Sequence, residues 1–337
     1  MMKLRRTIAA VLALALLTGC AAVYAEAAET KETEWTTKIA AHFATQEEGQ
    51  ELMRNQKLYH EQINEKSLEF LLQKKGGTLE EFIDYAAEQV RLFEPEEEQK
   101  ISDILEWLQK QLESHGLALP DPGPITFVKT TGWEAGDASG YTSEGAVFLN
   151  EWLFTEEAAE YAVDEGGYED IDELIREVII HEISHCLSRL YPEYRTALYS
   201  LIHFRVLDED IDIPQKIRDE IMANPDVEHH DSVATFTING EKKECYLVFL
   251  TDDVFEKEGD SFFDHAYGGI VPLGENVIYR AEDVKDFWEV VGENTDYAED
   301  PEEIMADNFS FAIMYPDEFG EFKTPEILEG IVKYLKR

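Results

Sequence analysis

The stretch from Asp170 to Tyr191 constrains the fold most, because apolar residues run nearly all the way round it and the ionisable His181, Glu182 and His185 stand among them in mid-helix. Leu174, Val178, His181 and His185 follow one helical row. Ile175, Ile179, Glu182, Cys186 and Leu190 form the adjacent row, and Ile180, Ile183 and Leu187 fill the third side. A helix that is apolar nearly all round is buried. Two imidazoles and a carboxylate in a core are costly unless something pairs with them. A bond to a backbone carbonyl accounts for one buried histidine, whereas a shared cation accounts for two imidazoles with a carboxylate on the adjoining stripe.

The pentapeptide His181-Glu182-Ile183-Ser184-His185 has the spacing for such a cation. Residues four apart on a helix stack with Cβ atoms about 5–6 Å apart, and zinc–nitrogen bonds of about 2.0–2.1 Å close that gap. Glu182 lies about 100° around the helix. From there a carboxylate reaches a zinc-activated water without competing for the metal, as a general base requires. The residues predict a Zn2+ site with His181 and His185 as ligands and Glu182 as base.

A catalytic zinc takes three protein ligands and leaves the fourth position to water. The best source of the third is Asp300-Pro301-Glu302-Glu303-Ile304-Met305-Ala306-Asp307-Asn308, in which Glu303 and Asp307 are one helical turn apart. Glu302, Glu193 and His203 are alternatives. Asp300, Pro301 and Glu303 also fit N-cap, N1 and N3 of a helix, so Glu303 has a second reading as part of a capping box.

In these two motifs the chain resembles the gluzincin group of zinc metallopeptidases, which includes the thermolysin-like and neprilysin-like enzymes. In that group His-Glu-x-x-His supplies two ligands and the base, and a second helix carries Glu-x-x-x-Asp. The resemblance implies His181, His185 and Glu303 as ligands, Glu182 as general base, and Asp307 as an acceptor that orients a ligand imidazole. Ala306 and Asn308 flank Asp307 as Ala and Asn do in the neprilysin branch. The implied activity is hydrolysis of peptide bonds in a peptide or protein substrate. The resemblance covers two short motifs, and the stretch between them is longer than is usual in that group. The oxyanion should be stabilised by a Tyr, His or Arg, for which Tyr315, Tyr267, His265 and Arg280 are equal candidates. The rival expectation, from another class, is a surface lipoprotein whose zinc site is structural or vestigial and whose work is binding a ligand or partner.

The chain opens Met1-Met2-Lys3-Leu4-Arg5-Arg6, followed by an apolar stretch from Thr7 to Leu17. This pattern reads as an export signal, too short to span a membrane. Leu17-Thr18-Gly19-Cys20 resembles the lipobox of bacterial lipoproteins. Residues 1–19 are accordingly expected to be removed and Cys20 to be lipidated, leaving the protein anchored outside the cytoplasm through its lipid alone. The other reading is an ordinary signal cut near Ala25.

With 72 Asp plus Glu against 29 Lys plus Arg, the net charge is −43, which argues against nucleic acid and against adsorption to anionic lipid. Beyond Cys20 only Cys186 and Cys245 remain, too few for a disulfide-framed fold. Export permits them to pair, and a free buried thiol is equally at home at Cys186.

Residues 20–34 read as a flexible tether and 35–117 as a helical N-terminal lobe. In that lobe Thr78-Leu79-Glu80-Glu81 is a capping box, and a helix opens at Pro95 and closes at Gly116. Leu119 to Pro124 is the clearest boundary. Residues 118–337 are expected to form an α+β, zincin-like domain. Its parts would be a small, mostly antiparallel sheet, the buried motif helix beneath it, and a helical C-terminal lobe bringing Glu303 across. Strands are expected at Ile125–Thr130, Gly140–Thr142 and Ala146–Leu149, with a hairpin across Asn239-Gly240. Helices are expected at Thr155–Ala162, Glu282–Val291, Pro301–Met314 and Pro325–Leu335. The edge strand near Gly140 to Leu149 is placed to take an extended peptide by β-augmentation.

Overall fold

The computed structural model describes residues 33–261 and 265–337; the expected signal, Cys20 and most of the expected tether lie outside them. Among the described residues no helix is long and apolar enough to cross a membrane. Trp35–Arg337 form one compact unit of mixed helices and sheets, an α+β architecture.

Strand β1 (Trp35–Thr36) pairs with β4 (Leu119–Pro120). The first larger sheet takes β2 (Ala41–Phe43) and β3 (Val90–Arg91) from the N-terminal segment. It adds β5 (Ile125–Thr130), β6 (Gly140–Ser143) and β7 (Ala146–Asn150), in the order β2-β5-β7-β6 with β3 also against β5. Pairing of β5 with β2 and with β7 is parallel, whereas β6 and β3 are antiparallel to their neighbours. The sheet beside the motif is therefore mixed, not mostly antiparallel. The cause is local: Glu144 and Gly145, both at positive φ (49° and 77°), fold β7 back between β6 and β5. Of this hairpin only β6 is left at an edge, opposite β2.

Alternation along this sheet sends side chains to two different cores. Phe127, Val147 and Leu149 pack with Ile101, Leu105 and Leu108 of one long helix and with Ile175, Ile179 and Ile183 of the motif helix. Val128, Ala146 and Phe148 pack with Met53, Phe70 and Phe82 on the other face. That second face is covered by α1 (Gln46–Arg54), α2 (Lys57–Gln62), α3 (Glu65–Leu71) and α4 (Leu79–Glu88). Helix α4 opens on the Thr78/Glu81 capping box, and α5 (Pro95–His115) ends at Gly116 with φ 65°. The N-terminal segment is thus neither wholly helical nor a lobe of its own, and Leu119–Pro124 lies within the compact unit. Its helices supply the second cover that strands apolar at both parities require.

After α6 (Glu156–Asp164) comes the motif helix α7 (Ile171–Leu190), capped by the Asp170 carboxylate and stopped before Pro192, where α8 (Pro192–Tyr199) begins. The second sheet is antiparallel throughout. Its strands are β8 (Arg205–Val206), β9 (Ser232–Ile238), β10 (Glu241–Thr251), β11 (Ala266–Pro272) and β12 (Tyr279–Arg280). Asn239 and Gly240, at φ 54° and 86°, make the two-residue turn between β9 and β10. One face packs toward the motif helix, and the other is covered by Ile211, Ile213, Ile217 and Ile221, of which Ile217 lies within the short α9 (Gln215–Arg218). The helix expected over Glu282–Val291 is reduced to a 3-10 turn at Ala281–Asp283 and α10 (Phe287–Val291). Helices α11 (Pro301–Met314) and α12 (Pro325–Leu335) complete the core. Cys186 and Cys245 are both free and buried.

Asp286, just before α10, ties that helix to the β9–β10 hairpin. Its carboxylate accepts from Thr237 N (3.0 Å), Thr237 Oγ1 (2.6 Å) and Lys242 Nζ (2.8 Å). Burial pushes its pKa up, but the Lys242 and Thr237 bonds outweigh it and bring the pKa down to about 2. A depressed carboxylate pKa contributes stability that is complete above the ordinary carboxylate range and is lost as pH falls through the folded value. Asp286→Ala should cost about 1–2 kcal/mol in urea denaturation at neutral pH, after discounting for the exposed Lys242. The difference from the parent should narrow as pH falls from about 4 toward 2.

Candidate metal centre

Helices α7 and α11 lie side by side and bring the two motifs together. Asp300 caps α11 by accepting from Glu302 N (2.9 Å), with Pro301 in the first turn. The Glu303 side chain is not spent on a capping box. Its Oε2 lies 3.1 Å from His181 Nε2 and 3.6 Å from His185 Nε2, and its Oε1 accepts from Asn224 Nδ2 at 2.7 Å. Ligand atoms of His181, His185 and Glu303 all lie within 4.8 Å of one another. Two ligand atoms on a tetrahedral zinc at about 2.0–2.1 Å stand roughly 3.3 Å apart, so the observed separations fit one ion with small adjustment. His185 Nε2 is buried without a hydrogen-bond partner, the mark of a lone pair reserved for something else.

The far nitrogen of each imidazole is fixed. His181 Nδ1 lies 2.8 Å from Asp307 Oδ1, and Asp307 Oδ2 accepts from the Thr295 hydroxyl. His185 Nδ1 lies 3.0 Å from Glu302 Oε1. The Glu302 carboxylate also accepts from Ser188 Oγ and Tyr199 Oη, and Arg195 Nε stands 3.8 Å away. Because a carboxylate only accepts, each Nδ1 carries a proton and Nε2 faces Glu303. This set of partners keeps Glu302 away from the cation position.

Glu182 stands on the adjoining face. Thr142 Oγ1 of β6 donates to its Oε2 at 2.7 Å. A Cβ on Gly140 would stand 3.1 Å from its Oε1 and 2.8 Å from Val178 Cγ1, so only glycine lets the edge strand approach this closely. Asp226 completes the surroundings, 3.8 Å from His185 Nε2, and forms a second potential ligand group with Glu182 and His185.

The electrostatics follow from burial. Exposures of 0 % for His185, 1 % for Glu303 and 2 % for Glu182 take three ionisable groups out of bulk water. Burial disfavours charged imidazoles, yet the hydrogen bonds and charges of Asp307 and Glu303 hold His181 well above its usual range. Asp226, Glu302 and Glu303 likewise raise His185 to about 10. Burial raises Glu182, only partly offset by the two histidines, and raises Asp226 well above the usual carboxylate range. Burial also pushes Glu302 up, but His185 and the arginines bring it down to about 2.

No family model, curated protein or solved structure matches this chain. What the centre can do follows from its own donors. Two imidazole nitrogens and a carboxylate suit zinc among the common divalent metals.

Other sequence candidates lie elsewhere. Glu193 and His203 are exposed, and His203 Nδ1 bonds to Val290 O at 2.8 Å. Tyr315 donates to Glu173 at 2.9 Å, Arg280 lies over the Tyr267 ring at 3.7 Å, and His265 Nδ1 bonds to Asp253 at 2.8 Å. The tyrosine beside the centre is Tyr297, whose ring centroid is 6.5 Å from that of His181 and which lines one small cavity with Gly140, Asn224 and Asp226. Burial, then the carboxylates of Glu303, Glu299, Asp226 and Asp307, raises its pKa well above normal, so it remains a neutral donor. Sequence reasoning missed Asn224, Asp226, Thr142 and Tyr297. Asn224-Pro225-Asp226 carries a turn signal and nothing that points to a metal.

Metal competition against a chromophoric chelator tests this geometry. His181→Ala and His185→Ala should abolish binding of about one zinc per chain. Glu302→Ala, which removes only the support behind His185, should retain binding but weaken it about 10–100-fold.

Proposed function

We propose that this protein is a zinc-dependent metallopeptidase of zincin type, exported and held at a membrane by a lipid on Cys20. The observation that carries the reading is the convergence of His181, His185 and Glu303 with an unliganded carboxylate, Glu182, on the adjoining side. A zinc ion held there would supply Lewis acidity to an amide carbonyl and to a water molecule. His181 and His185 present Nε2 because Asp307 and Glu302 engage their Nδ1 atoms. Glu182 takes the proton from the attacking water and returns it to the leaving amine nitrogen. Its burial favours this two-way traffic, since a carboxyl whose pKa is raised holds the proton longer than an exposed one. Tyr297, kept neutral, supplies a hydroxyl near the carbonyl oxygen. The outward Thr142 amide of edge strand β6, which Asp226 Oδ1 accepts from in this structure, marks where an extended peptide would pair.

A second reading is favoured by one observation, the near-complete burial of His185, Glu303 and Glu182. On that reading the zinc is structural and the protein a surface lipoprotein that binds a ligand or partner. A base has no use in such a site, and Glu182 weighs against it.

The test is Glu182→Gln in the exported chain, assayed on a peptide library with metal content measured in parallel. The peptidase reading expects unchanged zinc and a loss of about 10²–10⁴-fold or more in turnover. Equal turnover in both proteins removes Glu182 from the chemistry. Zinc retained with no cleavage of any peptide by the parent favours the structural site.

A further inference from the structure

Glu182 lies on the side of α7 that faces strand β6, and one residue of that strand holds it. Thr142 Oγ1 stands 2.7 Å from Glu182 Oε2 and 3.2 Å from Glu182 O. A hydroxyl has one proton to give. The shorter contact has the length of a bond to a carboxylate, and the Glu182 carbonyl, in mid-helix, is already an acceptor within α7. The proton therefore goes to Oε2. This is the one hydrogen bond that the Glu182 side chain makes among the described residues. Oε1 is left without a partner on the side of Gly140, where a Cβ would stand 3.1 Å from it.

Thr142 has little freedom of its own. It is fully buried, it sits opposite Val147 in the β6–β7 pair, and its N–H donates to Asp226 Oδ1 at 2.6 Å. A β-branched side chain is stiff at χ1. The close approach of β6 to α7 is set by Gly140, whose Cβ would stand 2.8 Å from Val178 Cγ1. Glu182, by contrast, has three side-chain torsions and this single bond. The direction of its carboxylate is set from the strand and not from the helix that carries it.

Resting on the metallopeptidase reading above, we propose that Thr142 is the positioning residue for the general base: its hydroxyl holds Glu182 Oε2 and so makes Oε1 the oxygen that meets the attacking water. Oε1 takes a proton as the water's O–H bond breaks and its oxygen bonds to the amide carbon. It returns that proton to the amine nitrogen as the C–N bond breaks. Oε2 stays with Thr142 through both transfers, so the carboxylate need not be re-aimed between them. The amide of Thr142 marks the peptide's place, and its hydroxyl fixes the base beside that place.

The experiment compares the exported chain with Thr142→Val, which keeps the branched shape and the strand N–H, and with Thr142→Ser, which keeps the hydroxyl. Thr142→Ala is a second variant without the hydroxyl and of lower bulk. Zinc affinity by chelator competition should be the same in every variant. On a peptide that the parent cleaves, kcat should fall about 10–100-fold in Thr142→Val and Thr142→Ala with KM unchanged, and Thr142→Ser should restore it. The infrared carboxyl band of Glu182, assigned by its loss in Glu182→Gln, should shift in Thr142→Val and hold its place in Thr142→Ser. In the Glu182→Gln background Thr142→Val should cost nothing further, since a residue that acts only through Glu182 has nothing left to position. Parental kcat in Thr142→Val, a loss that Ser does not restore, an unmoved carboxyl band or a further loss in the Glu182→Gln background would overturn the positioning role while leaving Glu182 as the base. Full turnover in Glu182→Gln, or no peptide cleaved by the parent, would overturn the metallopeptidase reading and this role with it.

Discussion

The arrangement depends on how the buried imidazoles of α7 are satisfied. Two histidines on a helix with no polar side cannot turn to water, so the core must bring them partners. It does so with α11, whose first two turns carry Glu302, Glu303 and Asp307 at the positions that meet both rings. Once these pairs form, the axial alignment of the two helices is set, because a shift by one turn would leave buried charges unpaired at several kcal/mol each. The sheet edge at β6 then has one place to lie, against Glu182, where Gly140 permits contact.

The carboxylates around the centre divide into two kinds. Glu302 is supplied with donors by Ser188, Tyr199 and His185, and Asp307 by Thr295 and His181. Glu182, Asp226 and Glu303 have far less: one threonine hydroxyl, one backbone amide and one asparagine amide, beyond the imidazoles themselves. The under-supplied three each lie beside His185, while the well-supplied two stand behind the rings. That asymmetry supports the proposed cation position, and it is independent of the motif spacing. The overall charge of −43 does not create it, since most acidic residues are exposed and solvated.

Much of this was legible in the sequence wherever the signal was local. The motif helix, the Thr78 capping box, the Pro95–Gly116 helix, the Asn239-Gly240 turn and the helix opening at Pro301 each rest on short-range rules and occupy the expected residues. Signals that depend on partners were not legible. Strands β2 and β3 are three and two residues long, too short to show alternation, and exist because β5 offers them an edge. Parallel pairing of β5 with β7 is a consequence of where the Glu144-Gly145 turn sends the chain, which no residue in β7 encodes. Glu302 looked like a competing ligand because sequence cannot distinguish the front of a ring from its back.

Asp226 was invisible for a further reason, which bears on what the long connection between the two motifs does. The chain from His185 to Glu303 builds the second sheet and also threads Met222–Val227 past β10 and onto β6. A shorter connection would reach α11 without covering the edge. The covering segment makes no strand pairing with β6; its hold there is a carboxylate on one amide, backed by hydrogen bonds to the Ser67 and Gln62 side chains, two to Arg189, one from Met222 N to Phe249 O and one from Asn224 to Glu303. Contacts of this kind are individually worth about 0.5–1.5 kcal/mol, or about 1.5–3 where one partner is charged. Displacing such a segment costs less than unfolding the helices and sheets behind it, since local opening costs less than global unfolding.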